Sequence, residues 1–476
     1  MSEIKLPKLR KIDPNKPKKK KILLLSDDLR MFSGIATQSK EFVLGTIDKY
    51  DWVQLSGAVN HPENGKIIDM STSIRDEFGI DNAYLKLYPI SGYGNPDLLR
   101  NVLEIEKPDA IIHFTDPRFW IWLYNMEHEI RQNIPIMYYN IWDDLPDPEY
   151  NKYFYKSCDL LLAISKQTYG INKRLLPEYE DWQIKYLPHG INQEKYFKLN
   201  KNDFKLKQFQ QKFGLDNDKF KLLYLNRNIR RKQPGDFVLA YTEFLNKLST
   251  FERDNCCLVI HAEPVDDNGT DIRALTKQFM PEQSVIFTYD IRTGFNDDEM
   301  NYLYNSVDVY MNIASNEGFG LGTAEAVMSG TPIVVNVTGG LQDQCGFKIK
   351  GKHVTPEDYD EIESFHDDRK WKDNPDLTHG EWVKPVWPSS RSLQGSIPTP
   401  YIFDDRCRWD DVADRFKEWY DTPKEERREV GQRGREWMLQ EEIGMSAKLM
   451  CERFIHDMEV GFEKWTPRKR FTLYKA

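Results

Sequence analysis

The chain has no apolar run approaching the eighteen or more residues that a membrane-spanning helix needs; its longest, such as residues 331–337, have the length of buried strands. That argues against a helical membrane protein. Nor does the N-terminus carry an apolar stretch followed by a small-residue cleavage site, so no secretory signal is legible and a cytoplasmic location is expected. Cysteine is sparse: Cys158, Cys256, Cys257, Cys345, Cys407 and Cys451 are scattered, show no paired metal-ligand spacing, and are expected as reduced thiols. No His/Cys cluster suggests zinc. Asp216-Asn217-Asp218 has the spacing of a divalent-cation motif, but it precedes a strand in a polar stretch and reads as a turn. No metal site is expected.

What is present fits a globular protein. Hydrophobic residues at 40% and aromatics at 13% are too abundant for a disordered chain, and 476 residues exceed what one core usually organises. Two domains are expected. Charge is uneven: residues 1–21 hold nine Lys or Arg against Glu3 and Asp13, a surplus of seven on a chain whose net charge is −9. Such a basic tail suits a solvated terminus, or contact with nucleic acid or an anionic membrane.

From Lys21 onward, short apolar runs alternate with amphipathic stretches, the pattern of a parallel sheet covered by helices. Strands are expected at 22–25, 53–58, 110–114, 134–139, 159–164 and 184–187. A polar stretch over 191–219 reads as an interdomain connection. Alternation restarts at 220–225, 257–261, 285–288, 307–312 and 333–337, a second doubly wound set. The expected division is a tail (1–20), a first α/β domain (21–190), the connection, a second α/β domain (220–408) and C-terminal helices (409–476), part of which cross back to the first domain. Residues 346–406, rich in Trp, Pro, Asp and Lys, including Trp371, Trp382 and Trp387, read as an ordered insertion.

The most informative segment runs from Ser315 through Glu317-Gly318-Phe319-Gly320-Leu321-Gly322 to Glu325, a strand, a glycine-rich turn and a helix. Glycines let backbone N–H groups approach a ligand, and a helix start adds its positive dipole end, a combination suited to a diphosphate. The segment resembles the Glu, seven residues, Glu signature of family 4 retaining glycosyltransferases of the GT-B fold, in which two Rossmann-like domains face each other across a cleft. The resemblance implies that Glu317 contacts the transferred sugar, Glu325 binds the ribose, and Gly318, Phe319, Gly320 and Leu321 line the donor site.

Further features follow in the family's order. Arg227 and Lys232, after the strand 220–225, have the spacing of its diphosphate clamp, although Asn226 and Gln233 stand where members often have Gly. Gly34, in Ser33-Gly34-Ile35, resembles the family's N-terminal Gly loop, and Gly339-Gly340 its donor-side turn. His113, at a strand end, resembles a His near the reacting sugar, with Asp116 and His189 as rival polar groups. The resemblance implies transfer from a nucleotide-diphosphate sugar, a UDP-sugar favoured, by front-face substitution, with no cofactor and no metal. A noncatalytic nucleotide-sugar-binding protein and a GT-B epimerase or phosphorylase are the alternatives. The acceptor stays open among glycans, lipid-linked sugars, proteins and DNA bases.

Overall fold

The computed structural model describes residues 18–280, 284–289, 294–359 and 372–469. The Lys and Arg residues at positions 5–16 and Trp371 lie outside them. Among the described residues no helix is long and apolar enough to cross a membrane.

The first sheet contains β1 (Lys21–Asp27), β2 (Asp51–Ala58), β3 (Ile68–Asp69), β4 (Leu85–Ser91), β5 (Ala110–Phe114), β6 (Ile136–Asn140), β7 (Leu160–Ala163) and β8 (Ile184–Tyr186). Their order is β3-β4-β2-β1-β5-β6-β7-β8, and β3 is the antiparallel member. Ile22 to Leu25 are all buried, as a strand covered on both faces requires. After β1 the chain moves to one side for β2 and later to the other for β5, so the carboxyl end of β1 lies at a topological switch point, where α/β sheets bind ligands. The helix Gly34–Gly45 starts there, capped by the Ser33 hydroxyl, which accepts from the Ala36 N–H at 3.0 Å.

The second sheet holds β9 (Phe220–Leu225), β10 (Cys256–His261), β11 (Val285–Phe287), β12 (Val309–Asn312) and β13 (Ile333–Asn336). Beyond them come β14 (Lys348–Ile349), β15 (Lys352–His353), β16 (Leu377–Thr378), β17 (Val383–Val386), β18 (Ser390–Ser396) and β19 (Thr399–Arg406). The all-parallel order β11-β10-β9-β12-β13-β17 has its own switch between β9 and β12, so the turns after these two strands lie side by side. These are the two motif-bearing turns. With its second α/β sheet facing the first, and helices following, the chain has the GT-B fold.

Some elements depart from expectation. β4 carries Lys86 and Pro89 in an otherwise apolar run and was outside the expected set; it pairs with β2 through seven residues. Within the polar connection, Phe204–Phe213 is a helix, and Phe209 packs on Phe295 and Tyr302 of the second unit. The region 346–406 supplies the small sheet β15-β14-β16, the edge strand β17 and the hairpin β18-β19. Trp382 packs on Trp437 at 4.8 Å and donates its indole N–H to the Gln344 carbonyl at 3.1 Å. Three helices close the chain: Trp409–Asp421, Lys424–Met438 and Ala447–Lys464. The last returns to the first unit, where Phe454 stacks on Phe42 at 5.4 Å.

Candidate active site

Between the two units lies a cavity of about 700 Å³. One wall comes from the first unit: Phe32, Ser33, Gly34, Ile164 and His189. The facing wall carries Arg227, Arg231 and Lys232 from the turn after β9, and Glu317 through Gly322 from the turn after β12.

The β9 turn is pinned from within. Asn228, fully buried, donates its amide to the carbonyls of Glu263 and Thr270 at 3.0 and 2.6 Å. The chain then makes one 3-10 turn, Arg230–Lys232, and Gln233 takes a left-handed φ of 54° before the helix Pro234–Asn246 begins. This geometry turns Arg231 and Lys232 toward the neighbouring strand. The Lys232 ammonium bonds the Glu317 carboxylate, and Arg231 donates to the same carboxylate at 3.2 Å and to the Asn316 carbonyl at 2.7 Å.

The β12 turn is held from two sides. Asn312 donates to Glu317 and to the Thr323 hydroxyl, both at 3.2 Å. Behind it, the Gly340 N–H donates to the Glu317 carbonyl at 2.7 Å. A Cβ on Gly340 would lie 2.1 Å from the Gly318 carbonyl oxygen, so only glycine allows the two turns to approach this closely. Gly320, at φ 88°, reverses the chain into the helix Leu321–Met328, whose N-terminus opens on the cavity.

The electrostatics are polarised. Burial alone would push the Glu317 carboxyl up, but Lys232 and Arg231 more than offset it and hold the group down at about 2. Burial pulls the Lys232 ammonium down to about 8 against the attraction of Glu317. Glu325 behaves oppositely: burial raises it to about 7, although the Tyr304 hydroxyl donates to it at 2.8 Å. Asp143 and Asp144 stand opposite, and burial together with Asp143 pushes Asp144 well above the usual carboxylate range.

The sequence-derived residues are not all gathered at the cavity. Gly34, Arg227, Lys232, Glu317, Gly318, Phe319, Gly320, Leu321 and His189 line it. Arg227 is 67% exposed and lies 3.7 Å from Asp266, whereas its neighbour Arg231, not singled out from sequence, reaches Glu317. Glu325 lies a turn along the helix, and Gly339-Gly340 buttress the β12 turn from behind. The structure places His113 off the cavity lining: it is fully buried, its two ring nitrogens are bonded to the Tyr124 hydroxyl at 2.7 Å and the Thr115 hydroxyl at 2.8 Å, and burial drives its pKa down to about 3. It is a neutral core residue away from the cavity wall. Asp116 is likewise elsewhere, capping a short turn and bonded to Arg118. His189 bonds the Tyr139 hydroxyl at 2.9 Å and packs edge-on against Phe319 at 5.1 Å.

Residues missed from sequence are Arg231, Asn312, Asp143 and Asp144. The basic run Arg230-Arg231-Lys232 carried a signal for the first, and the acidic pair before Leu145-Pro146 for the last two. Among the described residues no group of three His, Cys, Asp or Glu side chains is placed to hold a metal.

Residues 206–367 match the model of the group 1 glycosyl transferases. Among curated proteins, the chain is 26% identical over 190 residues to alpha-monoglucosyldiacylglycerol synthase of Acholeplasma laidlawii, covering 39% of this chain and 43% of that one. It is 28% identical over 209 residues to an uncharacterised glycosyltransferase of Methanocaldococcus jannaschii, covering 44% and 50%. The chain thus spans about half the length of the curated relatives it matches. Among solved structures, HepE of Anabaena in complex with UDP and glucose superposes with a TM-score of 0.61 at 11% identity, over 93% of this chain and 100% of that one. Sucrose-phosphate synthase of Thermosynechococcus elongatus superposes at 0.63 and 13%, over 94% and 100%. At these identities the superpositions show the fold alone.

Proposed function

We propose, from the match of residues 206–367 to the group 1 glycosyl transferases and from the GT-B frame, that the chain moves a sugar from a nucleotide-diphosphate donor, a UDP-sugar, to an acceptor hydroxyl with retention of configuration. The observation that carries this reading is the buried cluster Lys232, Arg231 and Glu317 on the wall of the interdomain cavity, beside a helix N-terminus. A nucleotide diphosphate leaves poorly unless its charge is met. Arg231 offers a planar fork and Lys232 a point charge, with Arg227 on the outer lip. Together with the turn Gly318 to Gly322 they provide electrostatic stabilisation of the leaving group that needs no metal.

Glu317 is kept ionised by its cations, so it acts as a hydrogen-bond acceptor for a sugar hydroxyl. Retention requires the acceptor oxygen to arrive on the face the diphosphate leaves. On this reading the departing phosphate takes the acceptor's proton, and the wall of Phe32, Ser33 and His189 positions the acceptor. Burial takes the pKa of His189 down to about 3, so it serves as a neutral hydrogen-bonding group. UDP-glucose is the first donor to test because the Anabaena structure was also determined with it, with a TM-score of 0.55.

The test is a thermal-shift and donor-consumption screen of the full chain against nucleotide-diphosphate sugars, with Lys232→Ala and Glu325→Ala alongside. Stabilisation by one nucleotide family that both variants lose supports the donor site, and release of nucleotide diphosphate on adding an acceptor supports transfer. No stabilisation by any donor would overturn the reading.

A further inference from the structure

A second cavity, of about 710 Å³, lies at the opposite end of the second sheet from the active-site cleft. Its walls are the linking segment from Lys198 to Asn202, Lys221 at the start of β9, the stretch 305–308 before β12, Gly330 and Pro332 before β13, and the first turn of the helix Lys424–Met438. These are the amino ends of the strands, whereas the donor turns leave the carboxyl ends. The two cavities share no residue.

Six cationic residues line this space, Lys198, Lys201, Lys221, Lys424, Arg427 and Arg428, against four carboxylates, Asp216, Asp218, Asp308 and Glu425. Arg427 is matched by Asp308 at 3.0 Å. Lys424 and Arg428 lie at the rim, with loose contacts of 3.6 Å to Asp218 and 3.8 Å to Glu425, pairs that water weakens and a ligand can displace. The two inner lysines differ. Lys221 is 4% exposed, yet its ammonium bonds only the backbone carbonyls of Asn217 and Lys219; Lys198 bonds only the Gly330 carbonyl, at 3.3 Å. Among the described residues neither ammonium has a carboxylate within ion-pair distance. Burial lowers the pKa of both, that of Lys198 to about 8 with Arg428 adding to the effect, while Asp308 opposes it from a distance.

Removing an ammonium from water without a counter-charge is unfavourable, and two directed at one cavity call for an anion. The helix Lys424–Met438 adds its positive end, and the amide side chains of Asn202 and Gln210 offer hydrogen bonds around the charge. A volume of this size suits a small metabolite. We infer that this cavity is a second binding site, separate from the donor cleft, for a phosphomonoester of a hydroxylated small molecule, its phosphate seated between Lys198 and Lys221 and its hydroxyls on the amides.

The test is calorimetric titration of the full chain with glucose 6-phosphate as probe, comparing wild type, Lys232→Ala, Lys198→Met and the rim variant Lys424→Ala/Arg428→Ala. Lys232→Ala disarms the donor cleft and is expected to keep the binding. Lys198→Met, and separately the rim variant, are expected to weaken it by about tenfold or more, the worth of one charge-assisted hydrogen bond. If Lys198→Met does not fold, the rim variant carries the comparison. Absence of binding by wild type, loss of binding in Lys232→Ala, or unchanged binding in whichever of the other two folds would overturn the inference.

Discussion

Lys232 and Glu317 neutralise each other inside the protein; removing Lys232 leaves Glu317 held only by Arg231 at 3.2 Å, and removing Glu317 leaves the buried Lys232 ammonium without a carboxylate. Lys232→Ala is expected to cost about 3–5 kcal/mol of stability by urea unfolding and to lower donor turnover about 100- to 1000-fold. The pH dependence follows from the direction of each shift. Glu317 sits near 2 in the folded protein against an ordinary 4.5. Its contribution is therefore present above about pH 4.5 and lost as pH falls toward 2, an effect of about 3 kcal/mol that Glu317→Gln is expected to remove from the acid limb of a stability curve. Glu325 has the opposite sign. With its folded pKa raised to about 7, stability is lost as pH rises from about 4.5 through 7, so Glu325→Gln is expected to unfold at higher urea than wild type at pH 8 and at the same urea at pH 4.

At the scale of elements, the hairpin β18-β19 ties the two functional turns together. Asp404, 2% exposed, accepts from Arg230 at 2.6 Å and from the Ser315 hydroxyl at 3.3 Å, and the Asp405 N–H donates to the Ser315 carbonyl at 3.1 Å. Asp404→Ala is expected to leave the fold intact by circular dichroism but to weaken donor binding several-fold, because it frees Ser315 and Arg230 without touching the cavity. The same scale explains what could be read from sequence. Apart from β3, β4 and β17, the strand runs of both sheets were legible because parallel strands buried on both faces are continuously apolar. The glycine turn stood out because alternating glycines at 318, 320 and 322 mark a tight entry into a helix, two before it and one in its first turn. That burial also hides the direction of His113: with every residue of β5 buried, no alternation shows which side chains point to the cleft. The helix Phe204–Phe213 was masked by its Lys and Gln residues, since only Leu206 and Phe209 are buried. Arg231 was passed over because spacing favours Arg227, and only the tight turn ending at Gln233 decides which arginine faces Glu317.

For the whole molecule, the joint is made twice. The chain leaves the first unit through Gly190-Ile191 and returns at Met445 to Ala447. The Ile191 N–H donates to the Met445 carbonyl and the Ala447 N–H to the Ile191 carbonyl, both at 2.9 Å. A Cβ on Gly190 would meet the Ala447 Cα at 2.6 Å, so the crossing strands pack closely there. A cleft spanned by such a joint is suited to closing, and small-angle scattering with UDP-glucose is expected to show a smaller radius of gyration than the free protein. The returning helix also completes the first core: Phe454 lies against Phe42, Tyr50 and Trp52. Phe454→Ala is expected to cost about 3–5 kcal/mol, read by denaturant titration.

The same packing sets an order in time. Phe42, Tyr50 and Trp52 leave the ribosome about four hundred residues before Phe454, the side chain that covers them. While the second unit is being made, the first has an uncovered aromatic face, the kind of surface on which nascent chains stick to one another or to chaperones. The core of the first unit is thus completed only after the second unit has been made.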